Sequence, residues 1–241
     1  MKRVVKINLN YLKVTIVPRQ WRYPRNLTRV KGVLSFFIKF RDNGNMEPLS
    51  TPKPPGAGKS SYDLIDPVAL WAALNLPQGI TFLDLGCGQG NYSLAAADLI
   101  GPRGLVYAVD LWEEGIAALK ARAAREGRTN LELLAAGADQ VPLASGSVDV
   151  VLMATVLHDL VEAGTVTGAL AEVARVIKAK GQLAIVEFHK IDGPPGPPRH
   201  IRLDPAEVEA LVAPYGFARQ QTVNLGPYNY LITFVKEDGT P

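Results

Sequence analysis

The stretch Phe82-Leu83-Asp84-Leu85-Gly86-Cys87-Gly88-Gln89-Gly90-Asn91-Tyr92 decides the fold. A short apolar run, Ile80–Leu85, breaks into three alternating glycines and resumes as a helical pattern over Asn91–Leu99, closed by Gly101-Pro102. Consecutive apolar positions suit a strand buried on both faces. Glycines let the chain turn sharply and approach a ligand closely, and the amides that open the next helix face whatever sits there. The unit therefore reads as strand, binding turn, helix.

Its spacing narrows the ligand. A dinucleotide fingerprint runs G-x-G-x-x-G; here Gly86, Gly88 and Gly90 run G-x-G-x-G, and Asn91 holds the later slot. Asp84 stands two residues before the first glycine, where a carboxylate repels a pyrophosphate and attracts an ammonium group. A nucleoside carrying an amino acid fits better than NAD. The next apolar run, Leu105–Val109, ends in Asp110, placed to accept two hydrogen bonds from a ribose diol.

Outward from this unit, strands and helices alternate. Asp66-Pro67 is a capped helix start, with the helix running through Leu74 and stopping near Pro77–Gly79. The pattern predicts a helix over Glu113–Glu126, strands over Leu131–Ala135 and Val148–Met153, a helix over Thr167–Lys178, and a strand over Gln182–Phe188. Asp204-Pro205-Ala206-Glu207 starts a last helix, and Gly226-Pro227 separates two closing strands, Phe217–Asn224 and Tyr228–Val235. Strands joined through helices imply an α/β fold, a parallel sheet covered on both faces. Ligands then bind beyond the strands' carboxyl ends.

Asp84–Gly90 together with Val106–Leu111 resembles the first two motifs of the class I S-adenosylmethionine-dependent methyltransferases. Val141-Pro142-Leu143, Ser147–Val151 and Arg175–Leu183 resemble that family's entries into its fourth and fifth strands. The small-molecule branch, with its quinone-pathway C-methyltransferases, is the nearest. The resemblance implies a Rossmann-like seven-stranded sheet of order 3-2-1-4-5-7-6, its last strand antiparallel. It also implies S-adenosylmethionine as cofactor, held by Asp84, Gly86, Cys87, Gly88, Gly90, Asp110, Leu111 and Ala154. The family places an Asp at the end of the third strand; here Gly137 occupies that position, followed by Ala138 and Asp139. Ala138 is expected to donate to the adenine through its backbone, and Asp139 either reaches the amino group or faces solvent. Cys87 reads as a small apolar filler in the turn.

Methyl transfer needs a base only when the acceptor must lose a proton. His158, in Met153-Ala154-Thr155-Val156-Leu157-His158-Asp159, is the candidate base, with packing at a helix start as the alternative. Tyr62, Thr155, His189, Arg199 and His200 are read with the acceptor. Glu187 and His189 are expected on one side of their strand, and Arg199, His200 and Arg202 either bind an anionic acceptor or belong to a stiff proline connector. One cysteine argues against arsenic methylation and against a disulfide or cysteine-built metal site; no metal is expected.

Net charge is +3 over 241 residues, unevenly placed. Residues 1–45 carry 11 Lys/Arg and one acid, Asp42; the remaining 15 bases face 22 acids. Four segments follow: 1–45 a basic extension, 46–61 a Pro/Gly/Ser linker, 62–236 the methyltransferase domain, and 237–241 a tail. The extension stays open between a nucleic-acid-binding arm, a targeting peptide, and disordered sequence upstream of a start at Met46. No apolar run approaches a membrane span, and the composition points to the cytoplasm. The expected activity is methylation of a small molecule. The alternatives are a nucleotide-cofactor module for NAD(P) or S-adenosylmethionine without transfer, and an RNA methyltransferase that uses the basic arm. The acidic body argues against nucleic acid without that arm. Nothing in the sequence fixes the oligomeric state.

Overall fold

The computed structural model describes residues 56–238, together with the backbone of four short strands nearer the N-terminus. Two units divide the chain, Met1–Pro52 and Lys53–Pro241. In the first, Val5–Asn8 pairs antiparallel with Lys13–Ile16, and Ile38–Phe40 with Met46–Pro48. The side chains on which the basic-arm expectation depends lie outside the described residues.

The second unit holds one seven-stranded sheet: β1 (Thr81–Leu85), β2 (Leu105–Asp110), β3 (Leu131–Ala135), β4 (Val148–Ala154), β5 (Ile177–Phe188), β6 (Phe217–Asn224) and β7 (Asn229–Lys236). Its spatial order is β3-β2-β1-β4-β5-β7-β6, as the family resemblance implies. The first five strands are parallel; β7 runs antiparallel to both β5 and β6. Among the described residues, no helix is long and apolar enough to cross a membrane.

Side chains alternate across the sheet, so adjacent residues of β1 enter different cores. Phe82 packs with Leu70 and Leu74 of α1 (Pro67–Leu74) and with Tyr92, Ala96 and Ile100 of α2 (Asn91–Ile100). Leu83 and Leu85 pack on the opposite face with Leu157 of α4 (Leu157–Glu162), Leu170 and Val173 of α5 (Val166–Val176), and Val208 and Val212 of α6 (Pro205–Val212). A third cluster joins Cys87, Leu94 and Ala108 to Ile116 and Leu119 of α3 (Glu113–Arg125). Each fully buried aliphatic contributes about 1.5–3 kcal/mol of transfer free energy, which outweighs the modest helix propensity of these short segments.

The helix starts follow their caps. Asp66 Oδ1 accepts from the Val68 and Ala69 amides, and Asp204 forms a reciprocal box with Glu207. Two features depart from the sequence reading. α4 is six residues long, too short to show a helical period. β5 begins at Ile177, where the sequence predicts the helix continuing to Lys178: Val176 and Ile177 are β-branched and fully buried, and Lys180 at φ 62° next to Gly181 interrupts the strand before its main pairing with β4. Residues 56–61, read as the end of a linker, turn back onto the domain, with Ser61 buried.

Candidate cofactor and acceptor site

The carboxyl ends of β1 and β4, two parallel neighbours, meet where the order of strand addition across the sheet reverses. The turn after β1 hangs from its neighbour: the Gly86 and Cys87 amides donate to the Val109 carbonyl at 2.8 and 3.1 Å. Gly86, Gly88 and Gly90 all have positive φ, at 81°, 53° and 75°. A Cβ on Gly86 would lie 2.7 Å from Val156 Cγ2, and one on Gly90 would lie 2.3 Å from Leu119 Cδ2. Both backbone conformation and space therefore demand glycine at these positions. Cys87 is buried among Leu94, Ala108 and Leu119, and burial pushes its thiol pKa well up, as the packing reading expects.

Asp110 ties two turns together. Its Oδ2 accepts from the Gly88 amide and its Oδ1 from the Trp112 amide, both at 2.8 Å. Leu111, next along, is 60 % exposed, an open apolar face beside that carboxylate. Gly137 closes the same corner: a Cβ there would sit 2.6 Å from Asp139 Oδ1 and 3.7 Å from Leu111 Cδ2. The Asp139 carboxylate thus lies close to Gly137 while the residue itself is exposed, and Ala138 is half-buried.

Asp84 is buried in the α1/α2 face. Its Oδ2 accepts the Ser93 hydroxyl at 2.5 Å, while Oδ1 has no hydrogen-bond partner among the described residues. Burial raises its pKa to about 7; the Ser93 hydrogen bond opposes the shift and the Asp110 charge adds to it. An orphaned buried carboxylate oxygen is costly unless a donor arrives. The cradle and this oxygen fit a ligand with a cationic donor.

Across the crevice, Ala154 ends β4 in the core and Thr155 follows at φ 53°, a left-handed conformation that strains a β-branched residue. Its Oγ1 lies 3.1 Å from the Ser61 hydroxyl, which also meets Tyr92 Oη at 2.8 Å. Tyr62 stands edge-on to Tyr92, 4.9 Å between ring centroids, and its hydroxyl accepts from Trp71 Nε1. His158 is only 5 % exposed. Its Nδ1 lies 2.8 and 3.0 Å from the Glu187 carboxylate oxygens, and Nε2 lies 3.5 Å from Asp159 Oδ1. Burial disfavours the charged ring, yet the hydrogen bond and charge of Glu187, joined by Asp159, outweigh it, so the His158 pKa is raised. Asp159 is also raised, by burial first and by the Glu187 and Glu162 charges; the His158 charge opposes the shift.

The remaining acceptor candidates separate. The strand ends at Phe188, so the alternation that would put Glu187 and His189 on one side stops there. Glu187 turns inward to His158, whereas His189 Nε2 meets Asn224 Oδ1 at the end of β6 at 3.1 Å and its ring lies against Tyr230. Arg202 is not available to an anion. Its side chain is 1 % exposed and donates to the carbonyls of His189, Gly193, Pro195 and Pro197 at 2.5–3.0 Å, with Phe188 beneath it at 5.6 Å. That is the stiff-connector alternative. Arg199 and His200 remain exposed, and Arg199 reaches Asp192 at 3.4 Å. Sequence reading missed Asp159 and Ser61, both of which depend on tertiary contacts.

Residues 83–185 match the methyltransferase domain family. Over 99 residues the chain is 30 % identical to the demethylmenaquinone methyltransferase of Lactococcus lactis, an alignment that covers 36 % of this chain and 39 % of that protein. The chain thus spans about two-fifths of the length of that curated relative. The crystal structure of a SAM-dependent methyltransferase from Aquifex aeolicus superposes with a TM-score of 0.67 at 28 % identity, over 78 % of this chain and 95 % of that one. The PH0226 protein of Pyrococcus horikoshii, at 19 % identity and a TM-score of 0.57, covers 70 % of this chain and 86 % of its own, and shares the fold.

Proposed function

We propose that this chain, a class I S-adenosylmethionine-dependent methyltransferase, holds its cofactor across the β1–β4 crevice and methylates a small-molecule acceptor. The observation that carries this reading is Asp84, two residues before the glycine turn, whose buried Oδ1 has no hydrogen-bond partner among the described residues. An amino-acid ammonium group would satisfy it, and a pyrophosphate would not. When bound, the cofactor supplies a methyl group already activated on a sulfonium.

The chain's own residues then bind, orient and exclude water. Asp84 takes the ammonium end, Asp110 the ribose diol, and Leu111 with the Gly137–Asp139 turn the base. On the other side, His158 is a positioning residue: it is buried with Nδ1 on the Glu187 carboxylate and Nε2 near Asp159, and these partners raise its pKa. Asp159 has a side chain 39 % exposed, and its raised pKa suits it to take the proton that an O–H, N–H or C–H acceptor must lose. The demethylmenaquinone methyltransferase among the relatives supports a reduced quinone ring as the acceptor class.

Calorimetry with S-adenosylmethionine, S-adenosylhomocysteine and NADH tests the cofactor: the two adenosyl-sulfur compounds bind and NADH does not. Binding of NADH alone overturns the reading. With a reduced naphthoquinone as acceptor, Asp159→Asn is expected to lower kcat by about 100-fold or more, with cofactor affinity kept. An unchanged kcat removes Asp159 from the proton path.

A further inference from the structure

The segment just before Tyr62 crosses the crevice. A turn closes it, with the Lys59 amide donating to the Gly56 carbonyl at 3.0 Å. Over the glycine turn, Gln89 Nε2 donates to the Gly58 carbonyl at 2.8 Å, and the Lys59 carbonyl lies 3.8 Å from where a Gly88 Cβ would be. Toward α4, a Cβ on Gly56 would lie 3.1 Å from Asp159 Oδ2. The segment therefore touches the donor side at Gly88 and Gln89 and the acceptor side at Asp159.

Besides the exposed Gln89 hydrogen bond, its hold on the domain is concentrated at one residue. Gly56 and Lys59 are exposed and residues 57, 58 and 60 half-buried, but Ser61 is only 3 % exposed. The Ser61 hydroxyl joins Tyr92 Oη, from the first turn of α2, and Thr155 Oγ1, from the strained residue after β4. Three hydroxyls thus meet between the two halves of the crevice, next to the end where Asp84 is placed to receive an ammonium group. At the other end of the site, Leu111 is 60 % exposed. The base end of the crevice is open and the amino-acid end is covered. Segments with few buried contacts open locally at low cost.

We propose that residues 56–61 belong to the cofactor site, as a strap over the amino-acid end of the bound cofactor, latched by Ser61, whose release sets the rate of cofactor exchange. The proposal rests on the cofactor reading above. Ser61→Ala removes both hydroxyl contacts and adds no bulk. Ser61 bonds to Tyr92 and Thr155, so the latch gates the path rather than gripping the cofactor, and loosening it speeds release and entry alike with little change in affinity.

The test uses the full chain with S-adenosylhomocysteine as probe. Stopped-flow measurement is expected to show release about tenfold faster in Ser61→Ala, the size of one net hydrogen bond, with association faster by a similar factor and equilibrium affinity within about twofold. Hydrogen exchange on the unaltered protein is expected to show the amides of residues 57–61 protected at least about fivefold by the ligand. A purely structural Ser61 would lower the melting temperature and leave release and ligand-dependent protection unchanged; that result overturns the strap alone. Failure of the unaltered protein to bind the probe overturns the cofactor reading, and the strap with it.

Discussion

On the donor side of the crevice, between β1 and β3, the site is shaped mostly by backbone: three positive-φ glycines, amides hung from Val109, and one carboxylate, Asp110, that accepts two main-chain N–H groups, with buried Asp84 the exception. On the acceptor side, beyond β4 and β5, it is shaped by buried polar side chains: His158 on Glu187, and Arg202 on four carbonyls. Backbone cradles accept any chain that supplies glycine at the right places, so the donor side suits a ligand common to many proteins. Buried charges each need their own partner, so the acceptor side suits a single, particular shape.

If the two sides are independent, each can be damaged without the other. The largest effect is expected from His158→Ala, which strands the Glu187 carboxylate without its cation and costs about 3–5 kcal/mol of stability. Denaturant unfolding measures it, and the affinity for S-adenosylhomocysteine is expected to stay within about threefold. The same pair has a pH signature. A raised histidine pKa adds stability that is fully present below the unfolded value of about 6.5 and is lost as pH rises through the higher folded value. That loss disappears in His158→Ala.

Next in size is Gly90→Ala, confined to the donor side, where the new Cβ meets Leu119 at φ 75°. Strain of about 1–2 kcal/mol and the displaced turn are expected to weaken S-adenosylhomocysteine binding by about 30-fold. The Nε2 and Nδ1 chemical shifts of His158 are expected not to move; a shift would show that the sides are coupled. Smallest is the pH dependence of cofactor affinity. With Asp84 near 7, binding an ammonium group requires the carboxyl to ionise, so affinity is expected to rise about tenfold per pH unit between pH 5 and 6.5. Asp84→Asn flattens that slope, and a flat slope in the unaltered protein removes Asp84 from the ammonium site.

The contrast also explains what the sequence made legible. Asp66, Asp204, the glycine turn and Asp110 act on backbone within a few residues of themselves or at a strand end, so local spacing reveals them. The alternation of elements implies a parallel sheet, and its strand order follows from the family resemblance alone. His158 and Glu187 lie 29 residues apart, and only the register of β4 against β5 brings them together. Nothing local distinguishes Arg202 from the exposed Arg199 three residues earlier. Ser61 stands in a Ser/Gly/Pro stretch whose composition reads as linker, and its burial comes from Tyr92 and Thr155, remote in the chain.

Arg202 has one further consequence. Because a single guanidinium grips the carbonyls of Gly193, Pro195 and Pro197, every bend between Ile191 and Ile201 is set from one anchor. The stretch then behaves as one part with a fixed outline. Grafting a hairpin of other length or composition onto this scaffold, to retune which molecules it modifies, would succeed only if the graft brought an equivalent anchor with it.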